Sequence, residues 1–168
     1  MTTASDSTNA HLLHAFLSHL TAGRKLEANA VLREALRVAP FTGAPYALLL
    51  GDLLARNDQY GEAVPLYQQA ICLNPADPTA YFYLGVALHA LREEDESDRV
   101  WDELAARFPG HAMSHYQRAL RALRTNDFAE AKTELQSAVV LFGDDNPLRE
   151  GGIKTLSAIE LELSRQKS

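Results

Sequence analysis

A fixed interval constrains this chain more than any other feature. Pro40, Pro75, Pro109 and Gly143 are separated by 35, 34 and 34 residues, and Ala28, Ala63, Ser97 and Ala131 repeat the same three steps. Two independent markers at one spacing define repeat units over 9–42, 44–77, 78–111 and 112–145, with Gly43 as a one-residue insertion. A unit of this length is one supersecondary element. It is too short to bury its own apolar face, so neighbouring units must stack to make a continuous core.

The second unit is the clearest. It reads APYALLLGDLLARNDQYGEAVPLYQQAICLNPAD, in which Leu50-Gly51 and Leu54 belong to a first helix and Glu62-Ala63, Tyr67 and Ala70 to a second. Gly51 marks a place where two helices approach too closely for a side chain, Ala63 and Ala70 do the same from the second helix, and Tyr67 fills the space they leave. Pro75 ends the second helix, because Asn74 before it is pushed out of α geometry. Pro65 lies inside that helix, removes one backbone donor and should bend it slightly. These residue types at these offsets resemble the tetratricopeptide-repeat (TPR) family. The third unit keeps Tyr81, Leu84-Gly85, Leu88, Trp101 and Pro109, with Ser97 where alanine is usual. The fourth keeps Ala119, Phe128, Glu130-Ala131, Leu135 and Ala138, with Arg118 where an apolar residue is expected. The first keeps Gly23, Glu27-Ala28, Leu32, Ala35 and Pro40, with Phe16 at a small-residue position.

The expected fold is therefore all-α: a right-handed solenoid of about four TPR helix-turn-helix repeats and a C-terminal capping helix over 146–165. Residues 1–8 read as a disordered tail. In the capping helix Asn146 is the N-cap and Pro147 the first helical residue. Ile153, Leu156, Ile159 and Leu163 form its apolar stripe, with Lys154, Glu162 and Arg165 opposite. Gly151-Gly152 weakens it by about 1 kcal/mol per glycine relative to alanine.

The TPR resemblance implies that a partner lies along the first helices of the repeats, on positions 2, 5, 9 and 12 of each unit. Those positions hold Ala10, Leu13, Leu17 and Leu20 in the first unit and Pro45, Leu48, Asp52 and Ala55 in the second. They hold Thr79, Phe82, Val86 and His89 in the third and Met113, Tyr116, Leu120 and Leu123 in the fourth. The implied groove is apolar and centred on Phe82 and Tyr116. TPR domains that grip the acidic C-terminal tails of chaperones use a lysine and asparagines on this face. Leu13 stands at the lysine position and Leu17 and Asp52 at the asparagine positions, so no carboxylate clamp is expected. An exposed apolar stripe calls for a cover, and an amphipathic helix or an extended apolar segment of another protein fits. About three or four buried anchors at roughly 2 kcal/mol each would support micromolar binding, which needs about −8 kcal/mol. Ordinary core and self-association are the competing readings of the same stripe. Arg24-Lys25, Arg56, Arg92 and Arg124 fall in the turns, where they are solvated or form a basic edge; Arg56 and Arg124 share one repeat position and are the rim candidates.

Composition narrows the function. The net charge is −6, with no global positive field to recruit nucleic acid or an anionic membrane. No apolar run reaches the roughly 20 residues of a membrane span, and Met1–Asn9 lacks the basic and apolar regions of a signal peptide. A cytoplasmic protein is the default. Cys72 is the one cysteine and reads as a small buried hydrophobe. His111 and His115 stand at i, i+4, and His11, His14 and His19 cluster, but nothing completes either set as a metal site. The acidic run Glu93–Glu96 with Asp98 opens a helix and complements its dipole. No enzyme motif and no cofactor site is apparent. The expected function is a protein-interaction adaptor or chaperone; the alternative is a homo-oligomeric scaffold or an assembly subunit. Size, acidity, tandem repeats and the C-terminal helix are also similar to the TPR chaperones of bacterial type III secretion, which hold translocator proteins in the groove. Those have three repeats after an N-terminal helical region, against four here.

Overall fold

The computed structural model describes residues 11, 12, 14–16, 18, 19, 21–24, 27, 28, 30, 31, 34 and 43–166. The 1–8 tail, Ala10, Leu13, Leu17, Leu20, Lys25, Leu32, Ala35 and Pro40 lie outside the described residues. The chain divides into two compact units, 1–75 and 76–168.

In the first unit, described residues within 11–21 and 27–34 are helical. Helices α1 (Ala44–Ala55) and α2 (Tyr60–Leu73) follow as an antiparallel pair. Phe16 and Ala28 are buried. Leu50, Leu54, Ala63, Leu66, Tyr67 and Ala70 make the core between α1 and α2. Gly51 is the closest approach: a Cβ there would lie 2.6 Å from Cε1 of Tyr67. Helix α2 ends at Leu73, and its C-cap Asn74 leaves α geometry ahead of Pro75. Cys72 is exposed, not buried. It sits two residues past the inward-facing Ala70, about 200° around a helix of 3.6 residues per turn, and so points out.

In the second unit, α3 (Pro78–Ala90) pairs with α4 (Glu94–Arg107), α5 (Ala112–Arg124) pairs with α6 (Phe128–Leu141), and α7 (Pro147–Arg165) closes on α6. The side chain of Asp77 caps α3 by accepting from the Thr79 N–H at 2.9 Å, and Asp127 caps α6 by accepting from Glu130. Gly85 repeats the role of Gly51, with a Cβ position 2.6 Å from the Trp101 ring. Ser97 departs from alanine for a visible reason: its buried hydroxyl donates to the Gly85 carbonyl at 3.0 Å, tying α4 to α3. In the last pair Ala119 replaces the glycine and Leu135 the aromatic, so a larger residue on one helix meets a smaller one on the other; both are buried.

The turn within each helix pair carries the repeat in a form that the residue types partly hide. Gly23, Asp58, Arg92 and Asn126 all have positive φ, at 72°, 62°, 66° and 58°. After each comes a backbone bond that closes the preceding helix: Arg24 to His19, Gln59 to Leu54, Glu93 to Leu88 and Asp127 to Ala122, at 2.9–3.0 Å. This is the left-handed C-terminal cap, recurring in step with the proline and alanine markers.

Helix α7 corrects one expectation. Asn146 caps it as anticipated, accepting from Leu148 at 2.9 Å. Leu156, Ile159 and Leu163 pack into a cluster with Ala119, Ala122, Ala131 and Leu135. Ile153, however, is 43% exposed, and Gly152 takes the inward position. A Cβ on Gly152 would lie 2.7 Å from Val139. The inner face is thus Gly152, Leu156, Ile159 and Leu163, one residue out of step at its start, and Gly152 lets α7 lie down on α6.

Candidate functional site

The predicted groove residues fall in both units, and each unit is described separately. In the first, Leu48 and Asp52 are half-buried on α1, and Arg56 is bound back to Asp52, Nε to Oδ2 at 2.8 Å.

The second unit holds most of the candidates. Phe82 is half-buried and packs against Trp101 (ring centroids 6.0 Å apart) and His111 (5.9 Å). Tyr116 is half-buried, meets Phe142 edge-on at 5.9 Å, and leans on the α5–α6–α7 cluster. Both aromatics therefore contribute to packing as well as to the face. Met113 is half-buried. Val86 and Leu120 are the open apolar residues, at 37% and 38% exposure. A cavity of about 470 Å³ opens between α3, α4 and α5. It gathers four of the predicted residues, His89, Leu120, Leu123 and Arg124. Leu120, Leu123 and the edge of the buried Trp101 form its apolar wall. Glu94 and Asp98 form the polar wall, with Ser97 and Gln117 between.

The polar wall is a charge network that sequence reading missed. His89 Nδ1 and Arg124 Nη1 both reach Oε2 of Glu94, at 3.0 and 3.1 Å. Arg124 Nη2 lies 3.6 Å from Asp98. One helical turn away, Arg121 makes a bidentate pair with Asp102 at 2.9 and 3.0 Å. Arg118 joins Asp102 at 3.0 Å to Glu134 at 2.9 Å. Arg118, Arg121 and Arg124 thus run down one face of α5 against Asp102, Asp98 and Glu94 on α4. This is why an arginine occupies position 118, where an apolar residue was expected. Burial raises the Asp98 carboxyl above its ordinary value, and the neighbouring Asp102 and Glu94 add to the rise against the pull of Arg121 and Arg124. Desolvation also pushes Glu94 up, but the bonds from His89 and Arg124 and their charges outweigh it and hold this carboxyl below its ordinary value.

Two expectations change here. The basic edge is not free charge: Arg56 and Arg124 carry their own carboxylates, and Arg92 occupies the strained turn position. The acidic run does more than complement a dipole. Glu94, Asp95 and Glu96 fill the first turn of α4, while Glu94 and Asp98 also reach the cavity. The signal for this was the spacing of Glu94, Asp98 and Asp102 on one helix against three arginines spaced by three on the next. As for the histidines, His111 is the N-cap of α5. Burial, with the charge of His115, lowers its pKa against the backbone bond that raises it. Both ring nitrogens of His115 are engaged, Nδ1 with Glu134 at 2.7 Å and Nε2 with the Pro109 carbonyl at 3.0 Å.

With this geometry the comparisons with known proteins agree. Residues 51–91 match a TPR repeat model and residues 79–111 a tetratricopeptide repeat model. The chain thus carries tetratricopeptide repeats within residues 51–111. It is 30% identical over 103 residues to the photosystem I assembly protein Ycf3 of Acaryochloris marina, covering 61% of each sequence. It is 24% identical over 119 residues to the peroxisomal targeting signal receptor of Kluyveromyces lactis, covering 69% of this chain and 21% of that one. It thus spans less than two thirds of the length of either relative. Among solved structures it resembles YrrB, a TPR protein with an unusual peptide-binding site, at 25% identity and a TM-score of 0.65, with 83% of this chain and 72% of that one covered. It also resembles the Yersinia enterocolitica type III secretion translocator chaperone SycD, at 20% identity and a TM-score of 0.63, with 71% and 85% covered. The repeats suggest protein–protein interaction, and TPR proteins are in general non-enzymatic interaction modules. No described helix is long and apolar enough to cross a membrane.

Proposed function

We propose that this chain is an adaptor or chaperone that holds a segment of a partner polypeptide against α3 and α5 of the second unit. The observation that carries the reading is the cavity of about 470 Å³ between α3, α4 and α5, bordered by the exposed side chain of Leu120. An apolar side chain left open beside a cavity of this size has unspent burial energy, about 25 cal/mol per Å² of apolar surface covered. Concave, mostly apolar sites with a few placed polar groups are what ligand-binding surfaces look like. YrrB, with its peptide-binding site, and the translocator chaperone SycD support the reading by likeness of fold. An amphipathic helix or an extended apolar segment meets the need equally well.

The test is affinity purification from the source organism with wild type and Leu120→Asp in parallel, after circular dichroism shows that both are folded. The expected result is a polypeptide retained by wild type and lost by the variant. Equal retention by both would remove the groove from the account. Retention of further copies of the chain itself, sensitive to Leu120→Asp, would favour the homo-oligomeric scaffold instead.

A further inference from the structure

The cavity wall is not charge-neutral in its bonding. Among the described residues, both bonds to Glu94 end on Oε2, so its second oxygen accepts nothing. Asp98 accepts no hydrogen bond, and its approach to Arg124 is a loose 3.6 Å. Two carboxylates therefore line the cavity together with Arg124 and His89, and each keeps an oxygen to which no described residue donates. Leu120 and Leu123 on α5, with the edge of Trp101 beside the carboxylates on α4, give the cavity a surface with little polarity. A long cationic side chain matches this combination: its methylene stem lies along the apolar surface while its head meets the carboxylates. An acidic side chain would meet Glu94 and Asp98 at close range, and a purely apolar one would cover their open oxygens without replacing the water bonds they lose.

Resting on the groove reading above, we propose that the cavity selects partner segments by one basic side chain, a lysine or arginine set among apolar residues, bound beside Arg124 by the remaining oxygens of Glu94 and Asp98. The groove then has a specificity pocket, in which apolar anchors supply affinity and the cation fixes register.

The experiment is selection of a random-sequence peptide library on the full chain, keeping peptides that fail to bind Leu120→Asp. Synthetic copies of the selected peptides are then titrated by calorimetry. The expected result is that they carry a lysine or arginine flanked by apolar residues, and that changing it to glutamine weakens binding about tenfold, ~1.4 kcal/mol. In the Glu94→Gln/Asp98→Asn double variant the same peptide change should cost less than about twofold. Asp98→Asn alone leaves the bonds of His89 and Arg124 to Glu94 in place, and it should give an intermediate value. Groove-dependent peptides without basic residues, or a lysine-to-glutamine loss that is the same in wild type and both variants, overturn the proposal and leave the groove reading standing. If no peptide depends on Leu120, the groove reading falls and this proposal falls with it.

Discussion

Replacing Gly85 by alanine tests the packing that positions the site. In an open helix interior this change stabilises by about 1 kcal/mol, because glycine has the more flexible unfolded chain. At position 85 the new Cβ would lie 2.6, 2.7 and 2.9 Å from Cζ2, Cε2 and Cη2 of Trp101. These are atoms of a rigid, buried ring and not the free end of a flexible side chain, and real Cβ contacts do not come so close. Moving the ring also disturbs Phe82, which packs against it at 6.0 Å. Overpacking of this kind costs typically 1–3 kcal/mol, so the net effect should be a loss of about 0–2 kcal/mol. Gly61→Ala is the control, since nothing lies within 4 Å of its Cβ position, and it should stabilise by up to about 1 kcal/mol. Urea denaturation of both variants should show a gap of about 1–3 kcal/mol between them. The last repeat suggests a rescue, because it already uses Ala119 with Leu135. Gly85→Ala and Trp101→Leu together should lose less than the sum of the two single losses, by about 1 kcal/mol or more. Equal stabilisation by Gly85→Ala and Gly61→Ala would refute the close-approach argument.

Arg92 has a φ of 66° in the turn before α4, where a non-glycine residue carries about 1–2 kcal/mol of strain. Arg92→Gly should stabilise by about 0.5–1 kcal/mol once the entropy of the glycine is counted, and an unchanged denaturation midpoint would contradict this. Asp98 has a folded pKa above its unfolded one. The folded state therefore binds the proton more tightly, and a penalty accumulates as pH rises from the unfolded pKa through the folded pKa. Asp98→Asn should accordingly melt higher than wild type at neutral pH, and the difference should close as the carboxyl protonates in acid; a lower melting temperature at neutral pH would contradict the sign. Arg118 bridges Asp102 and the mostly buried Glu134. Arg118→Ala should destabilise by about 2 kcal/mol, because it leaves a poorly solvated carboxylate with fewer partners, and a loss under about 0.5 kcal/mol would show the bridge to be incidental.

Much of the fold is legible in the sequence, because the repeat uses residue types with one physical meaning. Glycine at 51 and 85 opposite an aromatic at 67 and 101 states a close helix crossing, and Asn74-Pro75 states a helix end. The left-handed turn is only partly legible, because Gly23, Asp58 and Asn126 are types that adopt it readily but Arg92 is not. Ile153 and Gly152 were interchanged because an isoleucine fits an apolar stripe better than a glycine does. Only the packing of α7 on Val139 shows that the inward position must be empty. The site was half legible. The repeat register pointed to His89, Leu120 and Leu123, and the recurring turn arginines to Arg124; all four line one cavity. It could not show that Glu94 and Asp98 would join them, since ion pairs between α4 and α5 follow from the stacking of successive repeats and not from either helix alone. Phe82 and Tyr116 have the expected register, but packing against Trp101, His111 and Phe142 makes them poor choices for a clean binding mutation.

The most direct measurement compares two aspartate variants on one ligand. Leu120 is 38% exposed beside the cavity, while Val140 is 82% exposed on α6 and lines a different cavity, with Pro109 and Leu141. A peptide selected on the wild-type chain should bind Leu120→Asp at least about tenfold more weakly, a loss of about 1.4 kcal/mol. Its affinity for Val140→Asp should stay within about twofold of wild type. Retained affinity in a folded Leu120→Asp, with binding lost in Val140→Asp, would place the interaction on the other face and contradict the account.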